Sequence, residues 1–517
     1  MGRLIGTSTQ CTFLPGHNFQ NSYSYDAASN RTSLTAPDGS SNTYNYDALN
    51  RLATLTNSLT GQFSFGYDAL SRRTQLTRPN GINTNYSYDS LSHLLSVLHQ
   101  AGSTTLDGAS YGYDYAGNRT SKTNYMNGIT ENYGYDAIYQ LLQVTQGGGT
   151  TESYSYDPVG NRLSSLGMSP YSYNTSNQLT STPSGSYSYD ANGNTLSDAQ
   201  GRSYSWDFEN RLTSVTVPGT GTTTFRYDPF GRRIQKSGPL GTTNFLYDVV
   251  FNRLLKYNGW NVIEEVDNSG NVLARYTHGH AMDQTFAELR SGTTSYIEQD
   301  GIGSVTSLSN PAAALANTYT YDSFGNLTAS SGSLTNPFRY TAREFDPETG
   351  IYEYRARYFD PSVGRFISED PIGFDAGNNF YAYVNNRPLN MADPLGLSTI
   401  VYDPNGWLYL YDVNVNLLGV CPAANNTTST SIGSWPAGSY PYLYHNNHPP
   451  DPNGPYGSYG IYVFARPGCQ GCGVHSGRAN KGGPSAKTLG CIRTTDACMD
   501  WITSVNAMDP ITHIVVW

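Results

Sequence analysis

Near the C-terminus, Gly473-Val474-His475-Ser476-Gly477 is followed by Thr488-Leu489-Gly490-Cys491-Ile492-Arg493-Thr494, so a histidine precedes a cysteine by 16 residues, both among glycines. A cysteine is nucleophilic as its thiolate, and a neighbouring imidazole is the base that makes one. Gly490 permits unusual backbone angles and close approach by a substrate. The apolar spacing of residues 495–502 predicts a short helix just after Cys491, whose first-turn N–H groups would depress the thiol pKa and hold an oxyanion. His475 would take the thiol proton and later return it to a leaving amine. Arg493 is suited to anchor a carboxylate. Each residue also has a bland reading: a small buried cysteine, a hydrogen-bonded structural histidine, a surface ion-pair arginine.

Cys469-x-x-Cys472 leaves a further alternative open. With His475 and Cys491 it forms a four-ligand zinc set, and a ligated thiolate is not a free nucleophile. Otherwise the pair is a disulfide or two thiols. Histidine before cysteine excludes peptidases in which the nucleophile comes first. No Gln-Ala-Cys signature is present, and the His-x-Glu that accompanies Pro-Cys-x-x-Cys in deaminases is absent. Residues 455–505 resemble the L,D-transpeptidase (YkuD) family, whose motif places a His-Gly segment before Ser/Thr-His-Gly-Cys-Ile/Val-Arg. His475 then matches the base, Cys491 the nucleophile, Gly490 and Cys491 the oxyanion turn, and Arg493 the motif arginine. Leu489 and Ser476 depart from the pattern. The resemblance implies a mainly β domain that attacks peptidoglycan stem peptides through an acyl-enzyme, with no cofactor. Alternation over Tyr459–Phe464 and the apolar run Ile511–Trp517 predict strands. The Asn425–Tyr440 stretch, rich in Thr, Ser and Asn, predicts a loop.

The remaining chain must position and contain this chemistry. An aromatic-x-Tyr-Asp unit recurs at Tyr25-Asp26, Tyr46-Asp47, Tyr67-Asp68, Tyr88-Asp89, Tyr113-Asp114, Tyr135-Asp136 and Tyr156-Asp157. It continues, with variations such as Trp206-Asp207, to Tyr247-Asp248 and again at Tyr321-Asp322. A period near 21 residues signifies a repeat architecture. Each unit reads as a hairpin: Tyr154-Ser155-Tyr156 alternates, 157–162 turns, and Leu163 resumes a strand. Isolated hairpins do not stand alone, so neighbours must stack. Tyr is expected to pack and Asp to cap turns; glycan binding by exposed tyrosines is the functional alternative.

These repeats resemble the tyrosine-aspartate repeats of the RHS family. The segment Phe338–Leu397 resembles that family's C-terminal core, through Asp346-Pro347-Glu348-Thr349-Gly350, Tyr354-Arg355-Ala356-Arg357-Tyr358, Asp370-Pro371-Ile372-Gly373 and Asp393-Pro394-Leu395-Gly396-Leu397. The resemblance implies a mostly β chain: a spiral-sheet shell over residues 1–300, a core over 301–397 and a toxin domain over 398–517. It also implies self-cleavage after Leu397, with Asp370 and Asp393 as acid and base and Arg357 tuning them. Two carboxylates brought together can share a proton and activate water. Without the resemblance, both segments read as Asp-Pro turns.

Charged residues make up 14% of the 517-residue chain, against about 25% in typical domains. The formal net charge is −10 with no basic run, which argues against nucleic acid as a partner. No apolar stretch is long enough for a membrane span, and the N-terminus lacks a signal-peptide apolar region. The expectation is the C-terminal part of a longer secreted or delivered protein. It would be carried by a secretion apparatus to a target periplasm and be neutralised by an immunity protein. The rival class is a cell-surface glycan-binding protein with an inactive or zinc-binding tail.

Overall fold

The computed structural model describes residues 3–248, 259–280, 282–371 and 378–394, and beyond these the backbone of eight strands between Thr399 and Val516. Among the described residues the secondary structure is β with two single-turn 3-10 segments, Tyr340–Ala342 and Val384–Asn386. Two compact units divide the chain. The first comprises Met1–Val250, Asn258–Glu369 and Tyr381–Asn390, and the second the remaining residues.

The first unit is built from sequential antiparallel meanders. A 15-stranded sheet runs from Gly6–Thr9 to Arg162–Ser165, each strand paired with its sequence neighbours. A three-stranded sheet covers Ser172–Tyr173, Leu179–Thr182 and Gly185–Ser186. A 14-stranded sheet follows, from Ser188–Tyr189 to Leu327–Ser331.

The Tyr-Asp pair produces this regularity. In the strand Gly61–Tyr67, Phe63 and Phe65 point to the buried face, as period-2 alternation requires. The register shifts at Gly66/Tyr67, and the same shift recurs at Ser24/Tyr25, Asn45/Tyr46 and Ser87/Tyr88. Such bulges bend and twist a sheet. Asp68 then closes the turn. Its Oδ1 accepts the N–H groups of Leu70 and Arg72, both at 2.9 Å, and its Oδ2 accepts Arg72 Nε at 2.7 Å. Ser71 adopts the left-handed φ of 61°, which is why Asn, Ser and Gly occupy that position in most copies. Arg72 continues to the next repeat: Nη1 donates to the Asp89 carbonyl at 2.9 Å, and the guanidinium lies 4.7 Å from the centre of the Tyr88 ring. The Tyr67 hydroxyl reaches back, donating to the Leu52 carbonyl at 2.9 Å. Tyr46, Tyr88, Tyr135 and Tyr227 make the same backward bond, and Trp206 makes it with its indole N–H at 2.7 Å. The expected packing and capping roles are those observed.

The two large sheets face one another. Phe63 packs on Phe286 and Tyr296 with ring centres 5.6 and 6.0 Å apart, within one buried cluster that also holds Tyr23, Tyr44, Phe65 and Ile263. The four-stranded sheet Glu344–Asp346, Ile351–Tyr354, Arg357–Asp360 and Arg365–Phe366 carries an aromatic cluster of Tyr352, Tyr354, Phe359, Phe366 and Tyr383. It is tied to the repeats by buried ions. Arg233, 1% exposed, donates to both Asp346 and Glu344, and Lys236 adds Asp346 and Glu348 at 3.0 Å each. Arg202 does the same with Asp198 and Asp360. Asn386 donates to Gln140 and to the Gly160 carbonyl, both at 2.8 Å, stitching the end of this unit to its first sheet.

The second unit's described strands form one eight-stranded sheet in the order Leu417–Pro422, Trp407–Tyr411, Thr399–Asp403, His513–Val516, Gly438–Asn446, Ile461–Phe464, Gly473–His475, Ile492–Arg493. The strands expected near 459–464 and 511–517 are found at Ile461–Phe464 and His513–Val516. Gly438–Tyr440, expected as loop, instead opens a nine-residue strand paired with His513–Val516. Alternating aromatics in Ser439-Tyr440-Pro441-Tyr442-Leu443-Tyr444 supply the β preference that the preceding Ser/Thr/Asn run obscured. The helix expected over 495–502 lies outside the described residues.

Two substitutions test this construction. Tyr67→Phe removes one backward hydrogen bond, and a loss of about 1 kcal/mol is expected, read as a lower urea midpoint with an unchanged slope. Arg233→Met leaves Asp346 buried beside only Lys236; a loss of about 3–5 kcal/mol is expected, read in the same titration.

Candidate functional site

Three places carry chemistry. The first is the expected processing site. Asp370 and Asp393 are both buried, and both belong to the second unit. The Asp370 N–H donates to the Phe380 carbonyl at 3.1 Å. Arg357 belongs to the first unit, in the strand Arg357–Asp360, with its guanidinium 3.6 Å from the centre of the Phe366 ring. Leu397, after which cleavage is expected, lies outside the described residues.

The second is the edge of the C-terminal sheet. Most of its pairings are antiparallel, but Gly473–His475 and Ile492–Arg493 run parallel, with Val474 opposite Ile492 and His475 opposite Arg493. Adjacent strands lie about 4.8 Å apart, so two motif positions 18 residues apart in sequence become backbone neighbours. Gly490, Cys491, Cys469 and Cys472 lie outside the described residues, so the expected nucleophile and the alternative zinc ligands are not placed with His475. Among the described residues no cluster of His, Cys, Asp and Glu suits a metal ion.

The third was not foreseen from the sequence: a cavity of about 510 Å³ inside the first unit. Its lining includes Tyr133, Tyr154, Tyr319, Tyr321, Glu152 and Asp322. At its wall Lys122 meets Asp300 at 3.4 Å. Glu152 accepts the Ser323 N–H with both oxygens, at 3.1 and 3.2 Å, and the Tyr154 hydroxyl at 2.7 Å. The pairs that cross the cavity wall, Glu152 with Ser323 and Lys122 with Asp300, lie 171 and 178 positions apart, so no local spacing signals the cavity. Among the described residues no helix is long and apolar enough to cross a membrane.

Known proteins resemble this architecture. In fold, the first unit's class is that of the crystal structure of TcdB2-TccC3-Cdc42, with a TM-score of 0.62 at 20% identity over 73% of this chain and 22% of that one. In sequence, the tRNA3(Ser)-specific nuclease WapA of Bacillus spizizenii is 34% identical over 180 residues, 34% of this chain and 7% of that protein. The double-stranded DNA deaminase toxin A of Burkholderia cenocepacia is 27% identical over 203 residues, 35% of this chain and 14% of that protein. The chain thus spans only a small part of the length of these relatives. An RHS repeat model matches residues 46–84. A teneurin YD-shell model matches residues 102–389, more than half of the sequence, and the chain belongs to that family.

Proposed function

We propose that this chain is the shell and payload portion of an RHS-type polymorphic toxin whose C-terminal domain is a cysteine enzyme of the L,D-transpeptidase kind. The observation that supports this most is the pairing of His475 with Arg493 on adjacent parallel strands. It brings the histidine segment beside the strand that follows Cys491 directly in sequence, as a thiol–imidazole pair requires. The Cys491 thiolate attacks a stem-peptide carbonyl carbon. Backbone N–H groups at Gly490 and Cys491 hold the resulting oxyanion. His475 protonates the departing amine, leaving an acyl-enzyme, which water or a second amine resolves. Arg493 anchors a substrate carboxylate. Asp370 and Asp393 free the payload by cutting after Leu397, and the producing cell holds a cognate immunity protein. Delivery to a competitor's periplasm fits this substrate.

The relatives favour a second reading, in which the payload acts on nucleic acid, since two of them are named as a tRNA nuclease and a DNA deaminase toxin. Against it, residues 398–517 hold five Lys/Arg and six Asp with no Glu, a net of 5 − 6 = −1, where phosphate contacts call for clustered cations. No His-x-Glu occurs in that segment, so the zinc deaminase signature is incomplete.

Intact mass of the full chain after exposure to muropeptides separates the readings. An acyl adduct on Cys491 is expected, and Cys491→Ala should cut substrate turnover by at least about a thousandfold. Turnover of tRNA or DNA with muropeptides untouched would favour the nucleic-acid reading. In denaturing gels the purified chain should run as two bands and Asp393→Asn as one; a single band for both would remove self-cleavage.

A further inference from the structure

The cavity inside the first unit is lined by a buried cation for which the protein supplies no anion. Arg119 is 5% exposed and forms part of the lining. One face of its guanidinium rests on the Tyr111 ring, 4.0 Å from the ring centre. Its Nε is buried without a hydrogen-bond partner. Among the described residues the guanidinium makes no ion pair and no hydrogen bond. Arginines at the equivalent place are settled differently. Arg31, Arg162 and Arg233 likewise open the strand that follows a Tyr-Asp turn. Arg31 ends on Asp248 and Arg233 on Asp346, each at 2.5 Å. Arg162 is held against two rings, Tyr154 and Phe324, at 4.5 and 4.0 Å from their centres. Arg119 has one covered face and a fork of donors left over. A buried guanidinium without an acceptor is costly, so an anion in the cavity is the missing partner.

Strand register puts a second cation beside it. Tyr113 pairs with Arg119 and Gly112 with Ser121, which leaves Thr120 as the extra residue of a bulge. Plain alternation would set Arg119 and Lys122 on opposite faces; the bulge brings both to one face. Lys122 makes one long bond, to Asp300 at 3.4 Å, and has three donors. The other polar groups of the lining are already engaged. The Tyr133 hydroxyl donates to Glu131 at 2.6 Å, and Gln146 donates to the same carboxylate at 3.1 Å. Asp300 accepts the N–H groups of Ile302 and Ser304 at 3.1 and 3.0 Å, and Asp322 those of Phe324 and Asn326 at 2.9 Å each. Burial, then Asp322, raises Glu152 to about 7, so near neutrality it carries less than a full charge. The Tyr321 hydroxyl is spent on the Val305 carbonyl at 2.9 Å. What is left for a guest is aromatic surface and two cations.

We propose that this cavity binds a small aromatic carboxylate. The carboxylate takes the Arg119 fork in two parallel hydrogen bonds, with Lys122 alongside, and the ring lies among Tyr133, Tyr154, Tyr319 and Tyr321, whose faces accept another ring edge-on or offset. The volume of about 510 Å³ falls within the usual pocket range of about 300–1,000 Å³. A singly charged guest suits the site better than a phosphate, because four carboxyl groups share the lining with the two cations and would repel a dianion more strongly. The lining lies wholly within the first unit, so this binding and the chemistry proposed at Cys491 are separable.

Saturation-transfer NMR on the full chain tests the site with three probes that share a phenyl ring: benzoate, benzamide and phenyl phosphate. Benzoate should bind saturably, and benzamide and phenyl phosphate at least about tenfold more weakly. Arg119→Gln should weaken benzoate by at least about tenfold and leave benzamide unchanged. No saturable binding of benzoate, equal affinity for benzamide, or an unaltered affinity in Arg119→Gln would overturn the proposal. Tighter binding of phenyl phosphate would overturn the carboxylate assignment. Should Arg119→Gln fail to fold, hydrogen exchange of the wild-type chain decides. Slower exchange in Arg119–Asn124 with benzoate but not with benzamide supports the site, and the same exchange with both probes sinks it.

Discussion

The first unit depends on one local arrangement: an aspartate that closes a turn with both carboxylate oxygens and hands the i+4 side chain to the next repeat. Asp68 and Arg72 show the full form, with the guanidinium reaching Asp89 and the Tyr88 ring. Asp26 shows the reduced form, in which Asn30 supplies both a side-chain and a backbone donor and so holds the Asp26 carboxyl below its usual range. The arrangement needs only a donor at i+4 and a residue tolerant of left-handed φ at i+3. Arg, Asn, Gln and His therefore all serve at i+4, as in Arg51, Asn118, Gln140 and His93. Tolerance of this kind lets a repeat drift in sequence while its hairpins keep one shape.

A strip made this way has two unlike faces. The inward face carries the aromatics of the aromatic-x-Tyr unit, and the outward face carries Ser, Thr and Asn pairs such as Ser87 with Ser96 and Thr216 with Thr222. The hydrophobic contact between the sheets is therefore interrupted wherever a charged side chain points inward. Arg233 and Arg202 resolve this with tight ion pairs to the four-stranded sheet.

How much of this could be read in the sequence follows from the range of each interaction. The hairpins were legible because Tyr, Asp, the i+3 residue and the i+4 donor lie within five positions, and the 21-residue period repeats the signal. Even Trp206 is consistent, since its indole N–H substitutes for the tyrosine hydroxyl. The onward reach of Arg72, 17 residues away, has no local signature. Asp38 with Glu264, Asp107 with Thr306 and Glu152 with Ser323 lie far apart in the chain, and only the facing of the two sheets joins them. The strand at Gly438–Asn446 was half hidden because its polar approach resembles a loop. In the C-terminal segment the motif spacing named His475 and Arg493, and the parallel pairing of their strands adds what spacing could not give. Gly490 and Cys491 lie outside the described residues, so their part in the site rests on the sequence alone.

The repeat region and the C-terminal segment answer to different constraints, and this governs what kinship can say about either. The family match ends at residue 389, within the segment that packs on Gln140 and Gly160, before the last eight-stranded sheet begins at Thr399. Most of the matched region serves hairpin stacking, sheet facing and buried charge, none of which depends on the chemistry of the segment that follows. Relatives that share such a region can carry names as different as a tRNA nuclease and a DNA deaminase toxin. A shared repeat region thus carries little information about the segment that follows it. The reaction has to be argued from the residues of the C-terminal segment itself.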